Sequence, residues 1–300
     1  MKAVRFSEYG GPEVLRVMEV EAPHAGPGEV RIAVRAAGVN PPDWKIRAGL
    51  RQQAFPRTLP TGVGFEASGV VDEVGQGVVG VKVGDAVFGK GADTFAEYAV
   101  LQAWALKPEA MTFEEAAAIS SSGETALRIL DLVGAKAGQT ALVSGAAGGS
   151  GSAVVQLARR RGLTVVGTAS EPKHDYLRTL GAIPTTYGTG LVKRVRALAP
   201  QGVDVAFDIV GSGVIPELIA LTGDPSKVVT IVFAEADKGV LSSFKVQDHP
   251  EKALAELACA FEEGAFRMRV DRTFPLEGAG EAQVMSEAGR TTGKLVLVVT

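Results

Sequence analysis

Thr140-Ala141-Leu142-Val143-Ser144-Gly145-Ala146-Ala147-Gly148-Gly149-Ser150-Gly151 is the stretch whose reading settles the fold. A short apolar run with strand character leads into small residues and glycines. From Ser150 to Arg161 the pattern becomes that of an amphipathic helix. Glycines at 145, 148 and 151, helped by Gly149, let the chain turn sharply and let its backbone come close to a diphosphate. They also let the helix pack against the strand. The free amides at the start of that helix, with Ala146, Ala147 and Ser150 in the turn, then face the phosphate oxygens. The bland alternative is a glycine-rich turn with no ligand. The strand before and the helix after favour the phosphate reading.

Downstream, strands alternate with helical patterns. Leu163 to Thr168 reads as a strand, His174 to Leu180 and Leu191 to Ala199 as helices, and Val203 to Val210 and Lys227 to Phe233 as strands. Such alternation predicts a doubly wound parallel sheet covered by helices, a Rossmann domain, over residues 116–245. An NAD site would place a carboxylate on the ribose about 20 residues past the glycine turn. Thr168-Ala169-Ser170 stands there instead, with Lys173 just beyond. A hydroxyl and an ammonium suit the 2′-phosphate of NADP(H), which a carboxylate would repel. Ser170 also reads as a simple helix cap, and Lys173 as a solvated side chain.

Upstream, from Met1 to about Ala110, short strands such as Val30 to Val34 and Gly69 to Val74 are broken by Gly, Pro and Asp. Their spacing predicts a compact β-barrel domain. Thr112-Phe113-Glu114-Glu115 reads as a capping box that opens a helix. Beyond the middle domain come a helix (Pro250 to Glu263), a strand (Arg269 to Phe274), another helix and a terminal strand (Lys294 to Val299). The expected barrel domain therefore spans 1–115 with 246–300.

Bulk properties fit two ordinary globular domains: 300 residues, 46% hydrophobic and 22% charged. A net charge of -3 gives no pull towards nucleic acid. The run Arg159-Arg160-Arg161 closes a helix before Gly162, where cations suit the dipole and glycine suits the cap. A single cysteine, Cys259, excludes an internal disulfide framework and a multi-cysteine zinc site. Its helical surroundings predict a buried thiol. No uncharged apolar stretch reaches membrane-spanning length, so the expectation is a cytoplasmic protein without a membrane partner.

Together these motifs resemble the medium-chain dehydrogenase/reductase superfamily, and within it the zinc-free, zeta-crystallin-like quinone oxidoreductases. The resemblance runs over nearly the whole chain. It rests on Phe6 to Leu15, on Ala37-Gly38-Val39-Asn40-Pro41-Pro42-Asp43-Trp44-Lys45-Ile46-Arg47, on Gly69 to Gly75 with Val83-Gly84-Asp85, on the phosphate turn, and on Gly293-Lys294-Leu295-Val296-Leu297. It implies an α/β fold with a GroES-like β-barrel catalytic domain and a Rossmann domain, with cofactor and substrate in the cleft between them.

Zinc-dependent relatives carry a cysteine, a histidine and a second cysteine where this sequence has Asn40, Phe65 and Ser121. An amide, a phenyl ring and a hydroxyl make no zinc site. Without a metal to stabilise an alkoxide, the suitable acceptors are quinones and enones, which spread incoming charge into a conjugated enolate.

The resemblance assigns Asn40, Asp43 and Trp44 to the catalytic segment, with Asn40 as polar anchor for nicotinamide or acceptor. Asn40 also reads as bonding its own loop, Asp43 as a loop brace, and Trp44 as a core aromatic. Lys45 and Arg47 are expected to face solvent. Thr125 is implied at the nicotinamide end and Tyr187 near the adenosine phosphate. Val210 and Val232-Phe233 are implied around the ribose and carboxamide, and Gly293 and Lys294 near the cofactor. A homodimer joined edge to edge through Val228 to Val232 is also implied. The expected function is hydride transfer from NADPH to a small quinone or enone. The alternatives are a redox-inactive NADPH-binding protein and an enoyl-thioester reductase.

Overall fold

The computed structural model describes residues 1–54, 56–235, 238–245 and 249–300. The chain opens with strands β1 (Lys2–Phe6), β2 (Arg16–Glu19) and β3 (Val30–Val39). Helix α1 (Pro41–Arg47) follows Asn40. Then come β4 (Thr61–Gly62), β5 (Glu66–Val74), β6 (Ala86–Gly91), β7 (Tyr98–Leu106) and helix α2 (Phe113–Leu132). The middle of the chain supplies β8 (Thr140–Ser144), α3 (Gly149–Arg160), β9 (Thr164–Thr168), α4 (His174–Thr179) and β10 (Ile183–Thr185). It continues with α5 (Leu191–Leu198), β11 (Val205–Asp208), α6 (Ile215–Thr222), β12 (Val228–Thr230) and β13 (Leu241–Ser242). The chain ends with α7 (Pro250–Glu262), β14 (Val270–Pro275), α8 (Ala279–Glu287) and β15 (Lys294–Val298).

These elements form two units, Met1–Ser121 with Pro250–Thr300, and Ser122–His249. The first changeover lies inside α2, beyond residue 115, because one helix runs from one unit into the other. The expected second boundary, at 246, lies outside the described residues.

In the first unit β3 is the hub. Its first half pairs with β7, its second half with β15, and β5 lies along its other edge. Because β5, β6 and β7 pair in succession, the ring of strands closes on β3 into a barrel. Val30, Ile32 and Val34 point into its core with Phe6, Val71, Leu101, Leu295 and Leu297. The strand runs five residues past the alternating pattern. Ala36 to Val39 are all buried, so alternation of apolar and polar residues disappears there while the pairing continues.

In the second unit six strands run parallel in the order β10-β9-β8-β11-β12-β13. Sequence order reverses between β8 and β11, so the crevice at their carboxyl ends is the topological switch point of the sheet. Leu142, Val166, Ala206 and Val228 join Leu191, Val195, Ile215 and Leu218 of α5 and α6 in the core.

Several expectations change. Cys259 is exposed, its thiol 3.3 Å from Glu263 Oε1, because the buried stripe of α7 passes through Leu254, Leu257 and Phe261. Arg47 is buried rather than solvated. Its Nε donates to Gln283 Oε1 at 3.0 Å and its Nη1 to the Gly10 carbonyl at 2.7 Å. Lys45 is half-buried, its ammonium 5.4 Å from the centre of the Trp44 ring. Strand β12 is not an edge, since Val229 and Thr230 pair with Leu241 and Ser242 of β13, so the expected edge-to-edge contact through Val228 to Val232 has no free strand to use. The Thr112 box is half made: Glu115 donates its amide to Thr112 Oγ1 at 3.1 Å. The Glu115 carboxylate is raised from its ordinary value by burial, and it turns instead to the Met268 amide and Arg267. The basic run ends α3 before Gly162, whose φ is 83°, and Arg161 pairs with Asp131 at 2.7 Å.

Candidate active site

The glycine turn follows β8 directly. Gly145 has φ 76°, its amide donates to Thr168 Oγ1 at 3.1 Å, and the Ala146 amide donates to the Thr168 carbonyl at 3.0 Å. These bonds clip the turn to the end of β9. A Cβ on Gly151 would stand 2.1 Å from the Gly145 carbonyl oxygen, so only glycine permits this helix start to lie on the strand end. The first turn of α3 carries no side-chain cap. Its leading amides therefore keep their donors for a ligand, and the 12-residue helix adds its dipole. The cradle of Gly145, Ala146, Ala147, Gly148, Gly149, Ser150 and Gly151 fits a diphosphate on these grounds.

Other expected residues gather along the same carboxyl edge. A Cβ on Gly145 would come 2.2 Å from Val210 Cγ2, and one on Gly211 would come 2.6 Å from Val232 Cγ1. Gly145, Val210, Gly211 and Val232 thus form one continuous rim after β8, β11 and β12. Asp208 shapes it: its carboxylate accepts the Gly211 amide at 2.9 Å and the Thr230 hydroxyl at 3.0 Å. Phe233 is exposed, with its ring edge-on to Phe244 at 5.5 Å. Ser170 and Lys173 follow β9, where the Lys173 amide donates to the Ser170 carbonyl at 2.9 Å. Tyr187 follows β10 and is exposed. Thr125 lies half-buried on α2.

The first unit holds a second group. Strand β3 delivers Asn40 to the start of α1, and Asn40 is 8% exposed. Asn40 Oδ1 accepts from Lys294 Nζ at 2.5 Å, and Asn40 Nδ2 donates to Glu66 Oε1 at 2.7 Å. Lys294 Nζ also meets Glu66 Oε1 at 2.6 Å, and Glu66 Oε2 accepts the Ser121 amide at 2.7 Å. Glu66 is fully buried and Lys294 is 4% exposed. Room for the carboxylate comes from Gly38, where a Cβ would stand 2.5 Å from Glu66 Oε1. Gly293, with φ 82°, turns the chain into β15; a Cβ there would press on the Arg269 carbonyl at 2.2 Å. Trp44 is half-buried, its indole nitrogen without a partner.

Asp43 is fully buried and braces the helix start, since its Oδ2 accepts the Asn40 amide at 2.6 Å and the Gly64 amide also favours its carboxylate. Burial lifts its carboxyl from 3.8 to about 7, against the lowering effects of the Asn40 amide and the Lys294 ammonium. The folded chain therefore holds this proton longer than the unfolded chain does. Stability falls as pH climbs from about 4 to about 7 and is level above that window. Asp43→Asn is expected to remove that slope, worth at most about 4 kcal/mol. Urea midpoints of parent and variant between pH 4 and 8 check this; parallel curves would show that Asp43 does not titrate there.

Glu66 is a residue of this group that the sequence motifs do not single out. Its signal is an acidic residue opening a buried apolar strand, matched by Lys294 opening another. Both strands flank β3. The same residues give a poor home to zinc. Phe65 offers no donor, Ser121 turns its amide to Glu66, and an ammonium already occupies Asn40 Oδ1 and Glu66 Oε1. Among the described residues, no group of three or more His, Cys, Asp or Glu could hold a metal ion. No described helix is long and apolar enough to cross a membrane.

With this geometry in hand, the chain belongs to the medium-chain dehydrogenase/reductase superfamily, in its zinc-free quinone oxidoreductase group. Residues 26–111 match the alcohol dehydrogenase GroES-like domain, and residues 180–297 match the zinc-binding dehydrogenase family model. A quinone oxidoreductase of Pseudomonas aeruginosa is 34% identical over 99% of both chains. A 2-methylene-furan-3-one reductase of Solanum lycopersicum is 33% identical, covering 99% of this chain and 79% of its own length. Among solved structures, the Escherichia coli quinone oxidoreductase complexed with NADPH matches 99% of this chain and all of its own, at 26% identity and a TM-score of 0.86.

Proposed function

We propose that this protein is a zinc-independent, NADPH-dependent oxidoreductase that transfers hydride to a quinone or an α,β-unsaturated carbonyl. The observation that carries the reading is the glycine cradle at the switch point of the parallel sheet, whose uncapped helix start suits a dinucleotide diphosphate. The enone and quinone substrates named for the relatives support the choice of acceptor.

When bound, NADPH supplies the hydride. The chain's part is to bind and orient. Residues 145–151 hold the diphosphate, Ser170, Lys173 and Tyr187 the adenosine phosphate end, and Val210, Val232 and Phe233 the ribose and carboxamide. Within the second unit Thr125 serves the nicotinamide end; in the first unit Asn40, with Gly293 and Lys294 behind it, serves the acceptor. Asn40 offers the acceptor oxygen an amide N–H. Its Nδ2 carries two hydrogens: one is spent on Glu66 at 2.7 Å, while among the described residues the partner for the other is the Gly38 carbonyl at 3.4 Å. A donor held that loosely is free to serve a developing enolate. Trp44 walls the acceptor side, and the proton comes from solvent. A cytoplasmic location and a homodimer complete the reading; edge pairing would then use β10 or β13, the outer strands of the sheet.

Steady-state NADPH oxidation with a panel of quinones and enones tests the assignment. Turnover with at least one acceptor, unchanged by a chelator, is expected. Tight NADPH binding without turnover on any acceptor would instead indicate a redox-inactive binding protein. The double change Ser170→Ala and Lys173→Ala is expected to weaken NADPH by about 10-fold or more while sparing NADH. Equal losses in titrations with the two coenzymes would refute the 2′-phosphate assignment.

A further inference from the structure

Lys294 can only donate, and a carboxylate such as Glu66 can only accept. Asn40 stands between them, with Oδ1 on the ammonium at 2.5 Å and Nδ2 on the carboxylate at 2.7 Å. Reversing the amide would set Nδ2 against a donor and Oδ1 against an acceptor, so the pair dictates which way the amide faces. The pair is itself anchored. Glu66 Oε2 takes the Ser121 amide at 2.7 Å, the Thr94 hydroxyl donates to the Glu66 carbonyl at 3.1 Å, and Lys294 follows directly from the Gly293 turn. A fully buried carboxylate and a lysine 4% exposed have lost most of their hydration to stand there.

We propose that Glu66 and Lys294 are positioning residues for Asn40. Their fixed charges hold the amide, and the ammonium polarises it through Oδ1, so that the loosely held Nδ2 hydrogen meets the acceptor oxygen. In effect the chain's own cation supplies the fixed orientation and positive charge that a metal ion would bring. The inference rests on the proposed role of Asn40 as donor to the acceptor.

The test is a mutant cycle in the full-length protein. Glu66→Gln together with Lys294→Met removes both charges, so neither is left buried alone. Turnover of the best acceptor should fall about 10²-fold. The dissociation constant for NADPH, read by fluorescence titration, should move less than about 3-fold, because the diphosphate cradle is untouched. Asn40→Ala should then cost a large factor in the parent and almost nothing further in the double variant. If Asn40→Ala costs the same factor in both backgrounds, the positioning role is overturned. If Asn40→Ala is harmless in the parent, the donor role of Asn40 has failed, and the two failures are told apart. Lys294→Arg keeps the ion pair but moves the donor, and so guards against a double variant that does not fold. A fall in kcat at constant NADPH affinity supports the proposal; unchanged kcat overturns it.

Discussion

Gly151→Ala is expected to destabilise the protein and to weaken NADPH by about 10²-fold, as though one or two charged hydrogen bonds were lost. The usual effect of this substitution inside a helix is the reverse, a gain of up to about 1 kcal/mol. Here the new methyl would stand 2.1 Å from the Gly145 carbonyl oxygen and 2.8 Å from Ala146 Cα. Both are backbone atoms fixed by the bonds to Thr168, so no side chain can swing away. The turn must open, at a cost of about 1–3 kcal/mol, and its amides leave their positions. Gly148→Ala is the internal control for stability, because its nearest neighbour would be 3.8 Å away. Urea unfolding and calorimetric NADPH titration measure both effects. A Gly151→Ala protein as stable as its parent would mean that the helix does not start against the strand as described. Lost stability with intact NADPH affinity would remove the diphosphate from this turn.

The second large effect concerns Lys294→Met. The methionine matches the lysine stem in size but leaves the buried Glu66 carboxylate without the ammonium that pairs with it, at a cost of about 3–5 kcal/mol. Adding Glu66→Gln should restore most of the loss. The neutral pair buries no charge, and replacing a buried ion pair by neutral groups is often close to neutral in stability. Urea midpoints of the parent, both single variants and the double variant form the cycle. Additive losses would show that the two charges do not depend on one another, despite their 2.6 Å separation. Stability and catalysis separate cleanly here: the double variant is expected to be folded yet slow.

Local pattern carried much of this molecule. The apolar run ending at Ser144, the glycines after it and the amphipathic helix beyond it were all readable, because each depends on residues within a dozen positions of one another. The alternation that follows announced a parallel sheet for the same reason. Helix facing was less secure. Cys259 lies one step outside the buried stripe of α7, and Arg47 is drawn inward by Gln283, which lies 236 positions away in the chain. Neither outcome is encoded in the neighbouring residues.

The same division runs through the site. Residue types alone lead one to expect a glycine cradle suited to a diphosphate and show that positions 40, 65 and 121 hold neither cysteine nor histidine, since φ freedom and metal-ligand chemistry belong to single side chains. The partners of Asn40 were settled by folding, because β15 and β5 come to the two edges of β3 from opposite ends of the chain. Burial then turned a lysine and a glutamate, ordinary surface residues by type, into a charged clamp. Strand pairing between distant segments obeys the packing of the whole barrel, and no window of sequence contains it.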